Sequence, residues 1–150
     1  MKPKKFLPAI FAILLLTFMS VVKAQDFSPI GYWQISDEVS GKPKSIIQIW
    51  ETSDQHLMGK VVKLFTQNIR CTTCNGNLHN QPILGMTILS DLKKNQDQWN
   101  DGKILDPDNG KTYNCTIRLT NNGKNLNVKG FTGLALFGTS QTWERVSVIT

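Results

Sequence analysis

Histidine is nearly missing from this chain, with His56 and His79 the only two in 150 residues. Neither stands beside a Gly-x-Ser-x-Gly elbow or a comparable nucleophile motif, so the sequence offers little for covalent catalysis. Lys/Arg clusters are missing too, beyond pairs such as Lys93-Lys94. Without a basic stripe there is no nucleic-acid footprint. Internal repeats, low-complexity tracts and linkers are absent. The run Asp106-Pro107-Asp108-Asn109-Gly110 lacks what a calcium loop requires. Counted from Asp106, the sixth and twelfth places hold Lys111 and Ile117 instead of Gly and Glu. It reads as a hairpin turn with an Asx-type cap. Paired carboxylates stay open, since Asp101, Asp106 and Asp108 could meet others in the fold.

Long apolar runs are also scarce, and the single clear one is at the amino end. Lys2, Lys4 and Lys5 precede an apolar stretch over residues 6–19, and Val22-Lys23-Ala24 supplies small residues where a signal peptidase inspects the chain. The pattern predicts a cleaved leader over 1–24 and one domain over 25–150, exported to the periplasm or beyond. A retained anchor is the competing reading, but the run is short of the roughly 20 residues a span needs. No Cys lies near the cut, which argues against a lipid-modified terminus. Loss of the leader removes four of 17 basic residues and none of the 11 acidic ones, leaving 13 against 11 and a net charge of +2.

Three cysteines remain. In an oxidising compartment a Cys71–Cys74 disulfide is the default. A zinc site is the first competitor, with His79 and then His56 or Cys115 completing it, but no second Cys pair is present. A redox pair would open a helix after a strand. Here Asn75-Gly76-Asn77 follows, which forms turns. No metal or cofactor is predicted. Cys115 is left over.

Glycines punctuate the chain at spacings that suit a β-sandwich or barrel. Asn109-Gly110 and Asn122-Gly123 each separate strand-like runs, because both residues tolerate the positive φ of tight hairpins. Tyr113, Cys115, Ile117 and Leu119 alternate with polar neighbours, as do Leu126 and Val128. A period of two gives one buried and one wet face, so Cys115 points inward as a small buried hydrophobe. Further strands are predicted over 31–36, 45–51, 57–65 and 140–149. Residues 87–95 are expected to form a helical turn or two, and 66–82 a long loop carrying the Cys pair.

Trp33 opens the first strand and Arg145 lies on the last. In a closed barrel these strands are neighbours, so the guanidinium can lie across the indole and close the barrel floor. A Gly-x-Trp start with a late Arg resembles the signature of lipocalins and other calycins, whose barrels hold small apolar ligands. A fuller resemblance covers nearly all of the mature chain. Gly31-Tyr32-Trp33, Asp37 with Gly41-Lys42-Pro43-Lys44-Ser45, and Gly59-Lys60-Val61-Val62 begin it. Cys71 with Cys74, Pro82-Ile83-Leu84-Gly85, Trp99 with Gly102-Lys103-Ile104-Leu105-Asp106-Pro107, and Gly110-Lys111-Thr112-Tyr113 continue it. Gly130-Phe131 and Phe137-Gly138-Thr139, running into Gln141-Thr142-Trp143-Glu144-Arg145, complete it. This string is similar to the bacterial family called domain of unknown function 2147. Cys115 departs from it, where a small non-Cys residue is expected. The resemblance implies an exported, calycin-like barrel and carries no catalytic residues.

The expected fold is therefore all-β, a single antiparallel up-and-down barrel of about eight strands with little helix. The expected function is binding of a small apolar or amphipathic molecule, with Trp50, Trp99, Tyr113 and Phe131 as candidate contacts. The alternative is a cell-envelope protein–protein interaction module with a filled barrel and an apolar patch over 131–137. A carboxylate hydrolase is third. Expected partners are a small molecule, with no nucleic acid and no stable membrane anchor.

Overall fold

The computed structural model describes Met1 and residues 27–147. The expected leader over 1–24 lies, Met1 aside, outside those residues, as does the end of the last expected strand. Eight strands follow one another: β1 Gly31–Ser36, β2 Pro43–Glu51, β3 His56–Leu64, β4 Thr87–Asn95, β5 Gln98–Asp106, β6 Lys111–Thr120, β7 Asn125–Phe131 and β8 Thr139–Val146. Each pairs antiparallel with the next, and β1 pairs with β8, so the sheet is a closed barrel. Closure sets Tyr32 against Val146, Trp33 against Arg145 and Gln34 against Glu144. An all-next-neighbour meander leaves no free edge. The only helical pieces among the described residues are two short turns, Gly76–Leu78 and Ala135–Phe137.

The meander sorts the connections between two ends. Residues 52–55, 96–97 and 121–124 turn at one end, the floor. Residues 37–42, 65–86, 107–110 and 132–138 turn at the other, the mouth. Both Asn-Gly pairs occupy turns. Asn121, Asn122 and Gly123 all have positive φ at the floor. At the mouth, the Asp106 carboxylate accepts from the Asp108 N–H (2.9 Å), the Asx geometry expected of that sequence.

Residues 87–95 form β4, not helical turns. Leu89 and Leu92 are three apart, a helical spacing, yet both are buried. The cause is a register shift. Leu57 and Gly59 of β3 pair with Leu92 and Leu89, so three residues of β4 span two of β3. A bulge of this kind inserts a residue and resets the alternation, returning Leu92 to the interior. Asp91, at φ 59°, takes up the strain within it. A second shift between Gly59 and Lys60 does the same for Ile88, which is also buried.

Candidate functional site

The floor is built from the chain termini of the barrel. Trp33 is fully buried and donates its indole N–H to the Pro29 carbonyl at 2.8 Å. The Arg145 guanidinium lies over its ring, 4.2 Å from the centroid. It also donates to the carbonyls of Gly123 (2.7 Å), Ile30 (3.1 Å) and Ser28 (2.6 Å). Residues 27–30 are thereby drawn across the end of the barrel. Burial lowers the Arg145 pKa from its ordinary value, though guanidinium stays charged. Above this floor, Ile47, Ile49, Leu57, Leu92, Ile117 and Leu126 are each almost wholly buried and fill the lower interior.

The upper interior is different. A cavity of about 540 Å³ opens at the mouth, within the size range of small-ligand sites. Ile35, Val61, Ile88, Ile104, Val128 and Trp143 form the apolar part of its wall. Ser45, Tyr113 and Gln141 are among the polar residues that line it. Ile83, from the long 65–86 connection, reaches in from above.

Charge gathers at the rim, where Asp37, Glu38, Lys44, Asp106 and Asp108 border the opening. Lys44 and Asp108 form an ion pair at 2.5 Å that links the start of β2 to the β5–β6 turn. Those elements stand on opposite sides of an eight-strand ring, so the pair bridges the mouth. The hydrogen bond to Asp108 raises the Lys44 amine above the ordinary lysine value, against the effect of burial. Asp37 is held below the ordinary carboxylate value because it accepts from the Ser40 N–H and hydroxyl. An ionised turn cap of this kind is not poised as a general acid.

The Cys loop braces the rim. Cys71 and Cys74 are joined in a disulfide, with Cα atoms 5.3 Å apart, so neither sulfur is free to ligate zinc as a thiolate. Both are buried. Thr73 between them donates its hydroxyl to the Pro107 carbonyl at 2.9 Å, fastening the 65–86 connection to the β5–β6 turn. Gly110 makes that approach possible. It has φ 69°, and a Cβ there would overlap the Thr73 carbonyl. Among the described residues no three His, Cys, Asp or Glu side chains group as a metal site.

Of the four aromatic candidates, Tyr113 lines the cavity and its hydroxyl accepts from the Asn109 side-chain amide at 3.1 Å. Trp50, Trp99 and Phe131 are not among the lining residues. Trp99 is buried in the core beside Ile117. Trp50 stands on the outer face of β2, half-buried, with the Lys60 amine 5.6 Å from its ring centroid. Phe131 ends β7 opposite Asn114, also on the outer side. The alternation of Ile47 and Ile49 was the available signal that Trp50 faces outward. The same reading, applied strand by strand, would have found Ile35, Val128, Gln141 and Trp143 for the wall. Cys115 faces the interior, fully buried, and burial pushes its thiol up to about 12.

Residues 31–145 match the family described as "Uncharacterized protein conserved in bacteria (DUF2147)". The chain belongs to this family. No curated protein matches it. Among solved structures it is similar to protein HP1028 from the human pathogen Helicobacter pylori, described as belonging to the lipocalin family. The superposition has a TM-score of 0.68 and 23% identity, covering 79% of this chain and 82% of that one. At that identity the likeness establishes a lipocalin-like barrel.

Proposed function

We propose that this chain is an exported carrier that binds one small apolar or amphipathic molecule in the mouth of its barrel. The carrying observation is the 540 Å³ cavity at the mouth, with apolar side chains on its inner wall and polar and charged ones toward its rim. An apolar ligand gains from leaving water for such a wall, at about 25 cal/mol per Å² of surface covered. A polar end would remain near Tyr113, Gln141 and the charged rim. The lipocalin description of the structural neighbour agrees with this reading. The leader pattern over residues 1–24 supports export.

The test is a titration with the neutral apolar dye N-phenyl-1-naphthylamine, followed by mass spectrometry of protein gently purified from its native host. Saturable enhancement of dye fluorescence at one site, abolished by a variant that fills the cavity, is the expected result. Dye binding that is indifferent to such a variant would remove the proposal.

A further inference from the structure

The described residues segregate their exposed apolar side chains by end. Apart from Met1, every exposed large hydrophobic lies on a mouth connection, except Phe27 and Ile30 on the floor segment. Val39 (98%) stands alone on the 37–42 connection beside Asp37 and Glu38, while the others gather on two connections: Leu136 (83%) and Leu134 (67%) between β7 and β8, and Ile69 (59%), Leu84 (56%) and Phe65 (46%) between β3 and β4. In an eight-stranded meander these two connections face one another across the mouth. They therefore flank the cavity entrance with apolar tips that have no cover in the fold. Monomeric proteins rarely leave such a concentration in water.

Charge identifies the cover. Residues 63–86 and 129–140 contain Lys63, Arg70 and Lys129 and not one Asp or Glu. The carboxylates of the rim lie on the other two connections and at the end of β5. Lys63 holds its amine 5.3 Å from the Phe65 ring centroid, so a cation and an apolar tip share one site. Apolar tips beside cations, on separate loops around an opening, match a surface with an apolar interior and anionic headgroups. We propose that the β3–β4 and β7–β8 connections dock the barrel mouth on an anionic lipid bilayer. Phe65, Ile69, Leu84, Leu134 and Leu136 enter the headgroup region, and Arg70 and Lys129 meet the lipid phosphates. The contact is peripheral and reversible, and it stands whether or not the cavity holds a ligand.

Protein recovered from cells expressing the full chain is sedimented with vesicles of phosphatidylglycerol and phosphatidylcholine, and with vesicles of phosphatidylcholine alone. Association should be about tenfold or more weaker with the neutral vesicles, and should fall with added salt. The double variants L134D/L136D and I69D/L84D should each lose about tenfold, while V39D stays near the parent. All five sites are exposed, and circular dichroism checks that the barrel persists. Hydrogen exchange then locates the contact, with vesicle-dependent protection confined to 65–86 and 131–139. Equal association of parent and double variants, equal affinity for neutral vesicles, or protection elsewhere, including only in residues 1–24, would overturn the proposal. So would absence of vesicle binding with cross-linking of the β7–β8 connection to one recurring protein.

Discussion

Arg145 lies over the Trp33 ring at 4.2 Å and donates to three backbone carbonyls of the barrel floor. One side chain thus ties β8 to β1, to the β6–β7 turn and to residues 27–30. Replacing it with methionine keeps bulk but strands those carbonyls and uncovers the indole. Hydrogen bonds from a charged donor are worth about 1.5–3 kcal/mol each in favourable settings, and a cation–π contact about 1 kcal/mol. Because the group is partly solvated, Arg145→Met should lose roughly 2–4 kcal/mol in urea unfolding. Arg145→Lys should recover little of it, since one ammonium cannot serve a forked set of acceptors. A loss below about 0.5 kcal/mol would show that the floor is held by packing alone.

Gly130 lines the cavity, and a Cβ built there would sit 3.5 Å from Ile104 and 3.6 Å from Tyr113, ordinary contact distances. Gly130→Val should therefore fold with a stability change within about 1 kcal/mol while occupying ligand space. The dye affinity should fall about tenfold. Unchanged affinity in a folded variant would place the dye outside the cavity.

The thiols give a direct count. In the native state no cysteine should react with a disulfide reagent at neutral pH, because Cys115 is buried and its thiol is pushed up to about 12. Unfolding in urea without reductant should release one reactive thiol, and unfolding with prior reduction three. Two or more thiols in the unreduced sample would contradict the Cys71–Cys74 bond. The same raised pKa has a sign for stability. Cys115 favours the folded state fully below the ordinary thiol value of 9.0, and that contribution is lost as pH rises toward about 12. Cys115→Ala should flatten the alkaline part of the stability profile.

Asp37 works at the opposite end of the pH scale. Its carboxylate caps the 37–41 turn through Ser40, and its pKa is lowered from 3.8. A depressed carboxylate contributes stability above its unfolded value and loses it as pH falls through the folded one. The stability difference between the parent and Asp37→Asn should hold at neutral pH and shrink below about pH 4. A difference that grows on acidification would reverse the assignment.

Much of the barrel was readable in one dimension. Alternation in Tyr113–Leu119 and at Leu126 and Val128, set off by Asn-Gly turns, determined strands, hairpins and the inward face of Cys115, because pleat and turn geometry are local. The family string carried the closed topology, and the pairing of first and last strands made a Trp33–Arg145 contact an expectation. Residues 87–95 misled for a physical reason. Bulges break the period of two, and a Leu pair three residues apart then looks helical.

What only the tertiary structure decided is which aromatic residues meet the interior and how much of it is empty. Trp50 and Phe131 stand outside and Trp99 lies in the packed lower core, while Tyr113 reaches the cavity. The void depends on the summed volumes of side chains from eight strands distant in sequence, and no local pattern contains that sum. The mouth likewise exists only once alternate connections are gathered at one end. By itself the sequence determined the regularly alternating strands and their Asn-Gly turns, but not β4, whose bulges hide its period. Closure of the ring turned them into a floor, a cavity and an apolar-fringed entrance.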